Sequence, residues 1–337
     1  RRDLLVLPAA AGALGASRGS VARAAPARPA QGEEYTVRLD GPLENNIFFG
    51  GGGGANSMQV NNAYVAAIDP DSALFAQGVR IGDEVAYVGK DTSSYNPLMQ
   101  DALRSDAKPD RTIKRYSATK PARGTYIKFQ ARGLPNPGDV APFFELPTTS
   151  GEPGSSTTLA DLVNARGRVV AFFRPGGQFF SGDLKEVKAF NRAYDEFARA
   201  GAEVAGISLD GPAYSRGIAR KSALKYQLLS DDGGVSTAFG ALRENVEGVP
   251  GGRVVDRRTF VIGPEGVVEN VFIAPWNPSI EALAQHMADV AYFVGANPER
   301  VRLSVLDPPK SLGQFLNGAR PKENPEPTAE QAAAAPA

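Results

Sequence analysis

The sequence has no cysteine among its 337 residues. Disulfide bonds, thiolate nucleophiles, iron–sulfur clusters and thiolate zinc sites are therefore excluded for these residues. Histidine occurs once, at His286, which excludes a multi-histidine metal site and leaves little support for a Ser-His-Asp triad. We expect His286 to be a surface or hydrogen-bonded histidine, and we expect no metal site and no cofactor.

Charge of one sign is not in excess either, because 37 basic residues balance 37 acidic ones. A neutral chain has no overall field that would recruit nucleic acid or an acidic membrane surface, so we expect no nucleic-acid partner. The composition does provide 42% hydrophobic residues, in a length typical of two globular domains with flexible ends.

Residues 1–32 have the parts of an export signal. Paired arginines stand at Arg1–Arg2, an apolar run too short to span a membrane follows at 4–16, and small residues at Ala22–Ala24 provide a cleavage site. This pattern predicts export by the twin-arginine route, to the chloroplast thylakoid lumen or alternatively to a bacterial periplasm. The other interpretation is a disordered Ala/Arg-rich terminus or the end of an organelle transit peptide.

Residues 33–132 predict a small, mainly β domain. Strand patterns at YTVRLDG, IFF and NAYVAAI lead into SALFAQGVRIGDEVAYVGKD, which indicates a short helix, a Gly-Asp turn and a further strand. This order resembles the PDZ family, whose members bind the C-terminal tails of partners by adding them as a strand to the sheet.

The PDZ resemblance implies where such a peptide groove would lie. Phe48 stands in place of the family's usual glycine in the carboxylate-binding loop, and Asn96 aligns with a helix position that often carries histidine. The ligand class therefore stays open, and a PDZ-shaped module used only for packing is the alternative. The implied peptide-binding residues are Asn46, Ile47, Phe48, Phe49, Asn96, Met99 and Leu103.

The end of this domain is strongly basic. Residues 108–132 contain eight lysines and arginines against one acidic residue, Asp110. Alternation at TIKRYSA and GTYIKFQA places these charges on the outer faces of two strands. This basic face 108–132 is either an ordinary solvated surface or a docking face for an acidic protein partner.

After a Pro/Gly-rich linker at 133–137, residues 138–294 predict an α/β domain. RVVAFFRP is typical of a buried parallel strand, a helical pattern ends at Gly201, and AEVAGISLD is a second buried strand, so the segment forms a βαβ unit. The segments PGDVAPFFELP, AGAEVAGISLD, KYQLLSDDGG and RRTFVIGPEGVV resemble the peroxiredoxin family, in its Q-type (bacterioferritin-comigratory-like) branch. This resemblance implies an α/β thioredoxin-like fold for the second domain.

The same resemblance locates the family's active loop at RPGGQFFSGDLKE. In the family this loop reads proline, three residues, threonine, two residues and the peroxidatic cysteine. Here Pro175 matches the proline, but Phe179 stands at the threonine position and Gly182 at the cysteine position. Val187 lies where many Q-type members keep a resolving cysteine, and Arg257 matches the family arginine. The resemblance thus implies a degenerate peroxiredoxin site without a catalytic residue.

These features favour a non-catalytic peroxiredoxin-like protein that acts as a binding, assembly or structural subunit. The resemblance to plastid Q-type peroxiredoxins implies a thylakoid membrane complex as a partner, reached through the PDZ-like groove or the basic face 108–132. The alternatives are a thioredoxin-dependent redox protein of the peroxidase family and a small-ligand sensor. We expect no transmembrane span, and a C-terminal extension at 295–337 that ends in a disordered tail.

Overall fold

The computed structural model describes residues 28–38, 47–51, 63–89, 126–176, 183–246, 248–274 and 278–306. Two five-stranded sheets organise this part of the chain.

The first sheet lies in the region for which the sequence predicts a mainly β domain. Its strands are β1 (Glu34–Arg38), β2 (Ile47–Gly51), β3 (Ala63–Ile68), β4 (Glu84–Gly89) and β5 (Tyr126–Gln130). They pair antiparallel in the order β1-β5-β4-β3-β2. Helix α1 (Ala73–Ala76) begins where the Ser72 hydroxyl accepts hydrogen bonds from two backbone amides. Val65, Val85 and Phe129 belong to the small core of this sheet.

The second sheet is mixed. Its strands are β8 (Arg168–Phe173), β9 (Ala202–Ser208), β10 (Gln227–Ser230), β13 (Arg258–Ile262) and β14 (Val268–Ile273). The order is β10-β9-β8-β13-β14, with the first three strands parallel and the last two antiparallel to their neighbours. Two short strand pairs lie outside it: β6 (Glu145–Pro147) with β7 (Ser156–Thr158), and β11 (Leu242–Arg243) with β12 (Val254–Val255).

Helices cover both faces of the second sheet. They are α2 (Leu159–Arg166), α3 (Asp183–Arg199), α4 (Pro212–Lys221), α5 (Gly234–Ala238), α6 (Ile280–Val294) and α7 (Pro298–Leu306), with a 3₁₀ helix at Pro250–Gly252. Helix α3 connects β8 to β9 and α4 connects β9 to β10. Because both right-handed crossovers run the same way along the sheet, the two helices lie on the same face.

Strand β8 shows why this sheet is buried on both sides. Val170 and Phe172 point towards α3, where the Phe172 ring stacks on Phe190 with 4.0 Å between ring centroids. Val169 and Phe173 alternate with them and pack into the core on the opposite face, which includes residues of α2. A βαβ unit followed by an antiparallel pair and a helix gives a thioredoxin-like fold, in agreement with the predicted α/β class.

Two helices add to what the sequence pattern predicts. Helix α4 begins at Pro212, because proline suits the first helical position. Helix α7 lies within the predicted C-terminal extension, and its Val301 and Val305 are fully buried against the core that contains α3 and α6. The packing of these two valines explains a helix that the local periodicity does not show.

Buried charges join the first sheet to the second domain. This junction cluster consists of Glu84, Arg132, Arg243, Asp256 and Arg258. Arg243 donates to Glu84 of β4 and to Asp256, whose Oδ2 lies 2.7 Å from its Nε. Burial by itself raises the pKa of Asp256, but Arg258 and Arg243 hold it below its ordinary value.

Arg132 corrects one expectation. The sequence assigns it to the basic face 108–132, but its side chain is 12% exposed and lies 3.7 Å from Glu84 and 3.6 Å from Asp256 in the junction cluster. Lys128, also of that face, pairs with Glu34 of β1. The other cations of the face lie outside the described residues.

None of the helices in the described part of the chain combines the length and the hydropathy that crossing a bilayer requires.

Candidate functional site

The candidate site lies where the parallel strands end. Arg174 directly follows β8, Asp210 follows β9 by two residues, and Asp183 opens α3. Because β8 and β9 are parallel, their carboxyl ends meet at one edge of the sheet, the edge at which α/β proteins usually carry their sites. The topology thus brings together charged residues that are far apart in sequence.

Arg174 is the centre of a buried ion-pair network. Its side chain is 0% exposed, and its Nη1 donates to Asp183 and, at 3.0 Å, to Asp210. Burial lowers the pKa of Arg174, but the two carboxylates more than offset this and raise it above its ordinary value. The guanidinium therefore stays charged inside the protein and holds the start of α3 to the end of β9.

Arg257 extends the network from the opposite side. It stands directly before β13, donates to Glu186 of α3 and lies 3.7 Å from the second oxygen of Asp183. Burial raises the pKa of Glu186 to about 7, although the Arg257 charge opposes this shift. Two arginines and three carboxylates therefore share one desolvated cluster, which we call the Arg174–Arg257 network.

The Arg174–Arg257 network is not fully hydrogen-bonded. Four of its buried atoms have no partner within the described structure: Nε and Nη2 of Arg174, Oδ1 of Asp183 and Oε1 of Glu186. Unpaired polar atoms in a protein interior cost free energy. Contacts elsewhere in the surrounding fold must therefore offset this cost.

His286 borders this network from α6. Its Nε2 lies 3.0 Å from the hydroxyl of Thr259 on β13, and its ring is buried. Burial and the nearby Arg257 charge lower its pKa to about 4, so the imidazole is neutral at pH 7. The histidine is thus an internal, hydrogen-bonded residue.

The predicted site residues are only partly within the described structure. Pro175 follows Arg174 and is buried, and Arg257 joins the network; Phe179 and Gly182 lie outside the described residues. Gly176 has φ +100°, and a Cβ atom there would lie 2.9 Å from Asp210 Oδ1, so the backbone passes close to the carboxylate only because the residue is glycine.

The predicted peptide-binding residues are also only partly described. Ile47, Phe48 and Phe49 lie in β2, which stands at one end of the first sheet among the described strands. Strand addition takes place at such an edge. Asn46, Asn96, Met99 and Leu103 lie outside the described residues.

Sequence reasoning did not identify Arg174, Asp183, Glu186 and Asp210 as a site. The sequence did contain a signal for the two residues of α3. Asp183 lies four residues before Val187 and Glu186 four residues before Phe190, so both carboxylates share the buried face of this amphipathic helix. In the described part of the chain, no group of three or more histidine or carboxylate side chains is arranged to hold a metal ion.

Comparison with known proteins places this fold in a family. The AhpC/TSA family matches residues 137–271. The chain is 33% identical over 170 residues to "Peroxiredoxin Q, chloroplastic" of Arabidopsis thaliana, covering 50% of this chain and 73% of that protein. The chain belongs to the AhpC/TSA family, in its peroxiredoxin Q branch.

Two further proteins are similar to this chain. "Peroxiredoxin Q, chloroplastic" of Populus jackii is 33% identical over 145 residues, and the chain spans 62% of its length. Among solved structures, peroxidoxin BcpB from Mycobacterium tuberculosis is 32% identical, with 50% of this chain and 97% of that chain covered and a TM-score of 0.39. The first sheet, Glu34 to Gln130, lies outside residues 137–271, which match the AhpC/TSA family.

Proposed function

We propose that this member of the peroxiredoxin Q branch is a binding or assembly protein without peroxidase activity. The observation that carries the proposal is the absence of cysteine from all 337 residues. Reduction of a peroxide by this family requires a thiolate that attacks one oxygen and is itself oxidised. Ser181 adjoins the cysteine position, but a serine hydroxyl has a pKa far above that of a thiol and does not take over this chemistry.

The charges around the former site support the proposal. The family arginine position, Arg257, is engaged by the carboxylate of Glu186 and lies near Asp183. Asp183 directly follows Gly182, which stands at the cysteine position. A carboxylate beside a reacting centre disfavours an anionic nucleophile, and an arginine bound to carboxylates is less available to polarise a substrate.

The proposed binding role uses the first domain. Its PDZ-like sequence order and the position of β2 at a sheet edge support capture of an extended peptide by strand addition. The relatives' names specify a chloroplast, which supports a chloroplast location for this chain. The export-like segment at 1–32 supports a location in the thylakoid lumen, and the resemblance to plastid Q-type peroxiredoxins supports docking on a thylakoid membrane complex.

A redox function of the peroxidase family is the second candidate, and the names of the relatives favour it. This candidate requires that some group other than a cysteine of this chain reduces the substrate.

Native co-migration tests the binding role. Membranes from the source are solubilised gently, complexes are separated by size, and the protein is located with an antibody. The proposal predicts that it migrates with a large complex. Migration as an isolated monomer would contradict the binding role.

A further inference from the structure

Helices α3 and α4 form one continuous surface. Both begin beside the Arg174–Arg257 network and lie on the same face of the second sheet. The middle of α3 is joined to the segment that follows α4, because the Asn191 side chain donates to the carbonyl of Ala223 at 3.3 Å and accepts from the amide of Lys225 at 2.8 Å. Tyr226, just beyond, donates to the carbonyl of Val187 at 2.8 Å. These contacts tie α3 to the chain directly after the last residue of α4, on the same face of the sheet.

The outer sides of α3 and α4 are basic. Lys185, Lys188 and Arg192 are exposed on α3 at spacings of three and four residues, so they share one side of the helix. Residues 212–225 contain four basic residues and no acidic one. We define the α3–α4 surface by six cations: Lys185, Lys188, Arg192, Arg216, Arg220 and Lys221.

Within the described part of the chain, no carboxylate neutralises the α3–α4 surface, although Arg192 Nη1 donates to the carbonyl of Val305 at 3.0 Å. None of its six cations has a carboxylate partner among the described residues. The nearby acidic residues are engaged elsewhere, since Asp195 pairs with Lys225 and Glu196 with Arg199, each at 2.6 Å. The described residues therefore leave these six cations without a carboxylate partner on one surface.

We propose that the α3–α4 surface docks an acidic segment of a partner protein, an inference that rests on the proposed binding function. Cations three and four residues apart on a helix are about 5–6 Å apart between Cβ atoms, which matches carboxylates at the same spacing on a partner helix. Electrostatic complementarity of this kind steers association and fixes the orientation of the partner.

The other charged partners fit this surface less well. Single-stranded nucleic acid is bound on aromatic platforms, whereas the outer sides of α3 and α4 offer Tyr214, which is 39% exposed, and the half-buried Tyr194. A membrane-surface helix inserts its apolar side into lipid, but Val187, Phe190 and Ile218 on the apolar sides of these helices are buried in the core. An acidic protein segment needs only the exposed cations.

A peptide-binding measurement on the full-length chain tests this proposal. The probe is a fluorescent helical peptide of about 20 residues with glutamate at positions i, i+3, i+4 and i+7, and its control carries glutamine at those positions. The test variant is Lys188→Glu with Lys221→Glu. The matched control is Arg253→Glu with Arg300→Glu, which changes the net charge equally at two exposed cations elsewhere.

We expect the acidic peptide to bind the wild-type chain and the control variant alike, and to bind the test variant at least about tenfold more weakly. Added salt should weaken the binding, and the glutamine peptide should not bind. If the glutamate variant fails to fold, Lys188→Gln with Lys221→Gln replaces it, with a smaller loss expected.

Three results would overturn the proposal. They are no binding of the acidic peptide, equal weakening in the test and control variants, or tighter binding of duplex DNA or phosphatidylglycerol vesicles that responds to the test variant. The proposed function fails by different results, which are migration as an isolated monomer or peroxide turnover, so the two failures can be told apart.

Discussion

Glu186 and His286 impose opposite pH dependences on stability, although they lie on either side of Arg257. Burial raises the pKa of Glu186 from 4.5 to about 7, so the folded protein holds this proton more tightly than the unfolded chain does. The stability that this group contributes is therefore complete below pH 4.5 and is lost as the pH rises through 7. At about 1.4 kcal/mol for each pH unit, the loss is about 3 kcal/mol.

His286 acts in the other direction. Burial lowers its pKa from 6.5 to about 4, so the unfolded chain binds this proton more tightly. Its contribution is present above pH 6.5 and is lost as the pH falls through 4, again about 3 kcal/mol in total. The two contributions largely cancel between pH 4.5 and 6.5, and the wild-type stability curve conceals both.

Single variants separate the two groups. Urea unfolding of the wild type, Glu186→Gln, His286→Gln and the double variant gives the free energy of unfolding at several pH values. As the pH rises from about 5 to about 8, the free energy of unfolding of Glu186→Gln should increase by about 3 kcal/mol relative to that of the wild type. As the pH rises from about 4 to about 7, the free energy of unfolding of His286→Gln should decrease by about 3 kcal/mol relative to that of the wild type. A difference between Glu186→Gln and the wild type that does not change with pH would refute the reasoning.

Three further predictions concern the charged clusters and the loop. Arg174→Met leaves two buried carboxylates without their cation and should lower the free energy of unfolding by about 3–5 kcal/mol in urea, whereas the exposed Arg199→Met should change it by less than about 1 kcal/mol; equal effects would contradict the network. Arg243→Met should split the calorimetric unfolding transition into two, because it breaks the junction cluster; a single, unshifted transition would show that the cluster does not couple the sheets. Gly182→Cys with Phe179→Thr should give measurable peroxide consumption with a thioredoxin system, because it restores the thiolate nucleophile that the chain lacks; a rate equal to that of the unchanged chain would contradict the idea that the missing thiol alone accounts for inactivity.

The order of strands and helices in the second domain could be predicted from local patterns. The run RVVAFF is buried on both sides, and the pattern of α3 stops before Gly201, whose φ of +77° suits a left-handed helix end. These features depend on neighbouring residues alone. Hydrophobic periodicity therefore predicted them correctly.

The charged clusters could not be predicted in the same way. Arg174 pairs with Asp210 across 36 positions, and Arg132 with Asp256 across a domain junction, and no local pattern specifies such partners. The local sequence predicts that Arg132 is one of several surface cations, whereas the packing of the junction cluster buries its side chain. Helix α7 likewise depends on tertiary contacts, since its exposed Leu303 interrupts a simple apolar face.

Peroxide consumption by the purified full-length chain tests the central claim most directly. The protein is supplied with hydrogen peroxide and a complete thioredoxin reducing system, and a cysteine-containing peroxiredoxin Q serves as the positive control. The account predicts a rate equal to that of the mixture without the protein, because no residue of this chain can form the thiolate. Turnover clearly above that baseline would contradict the account.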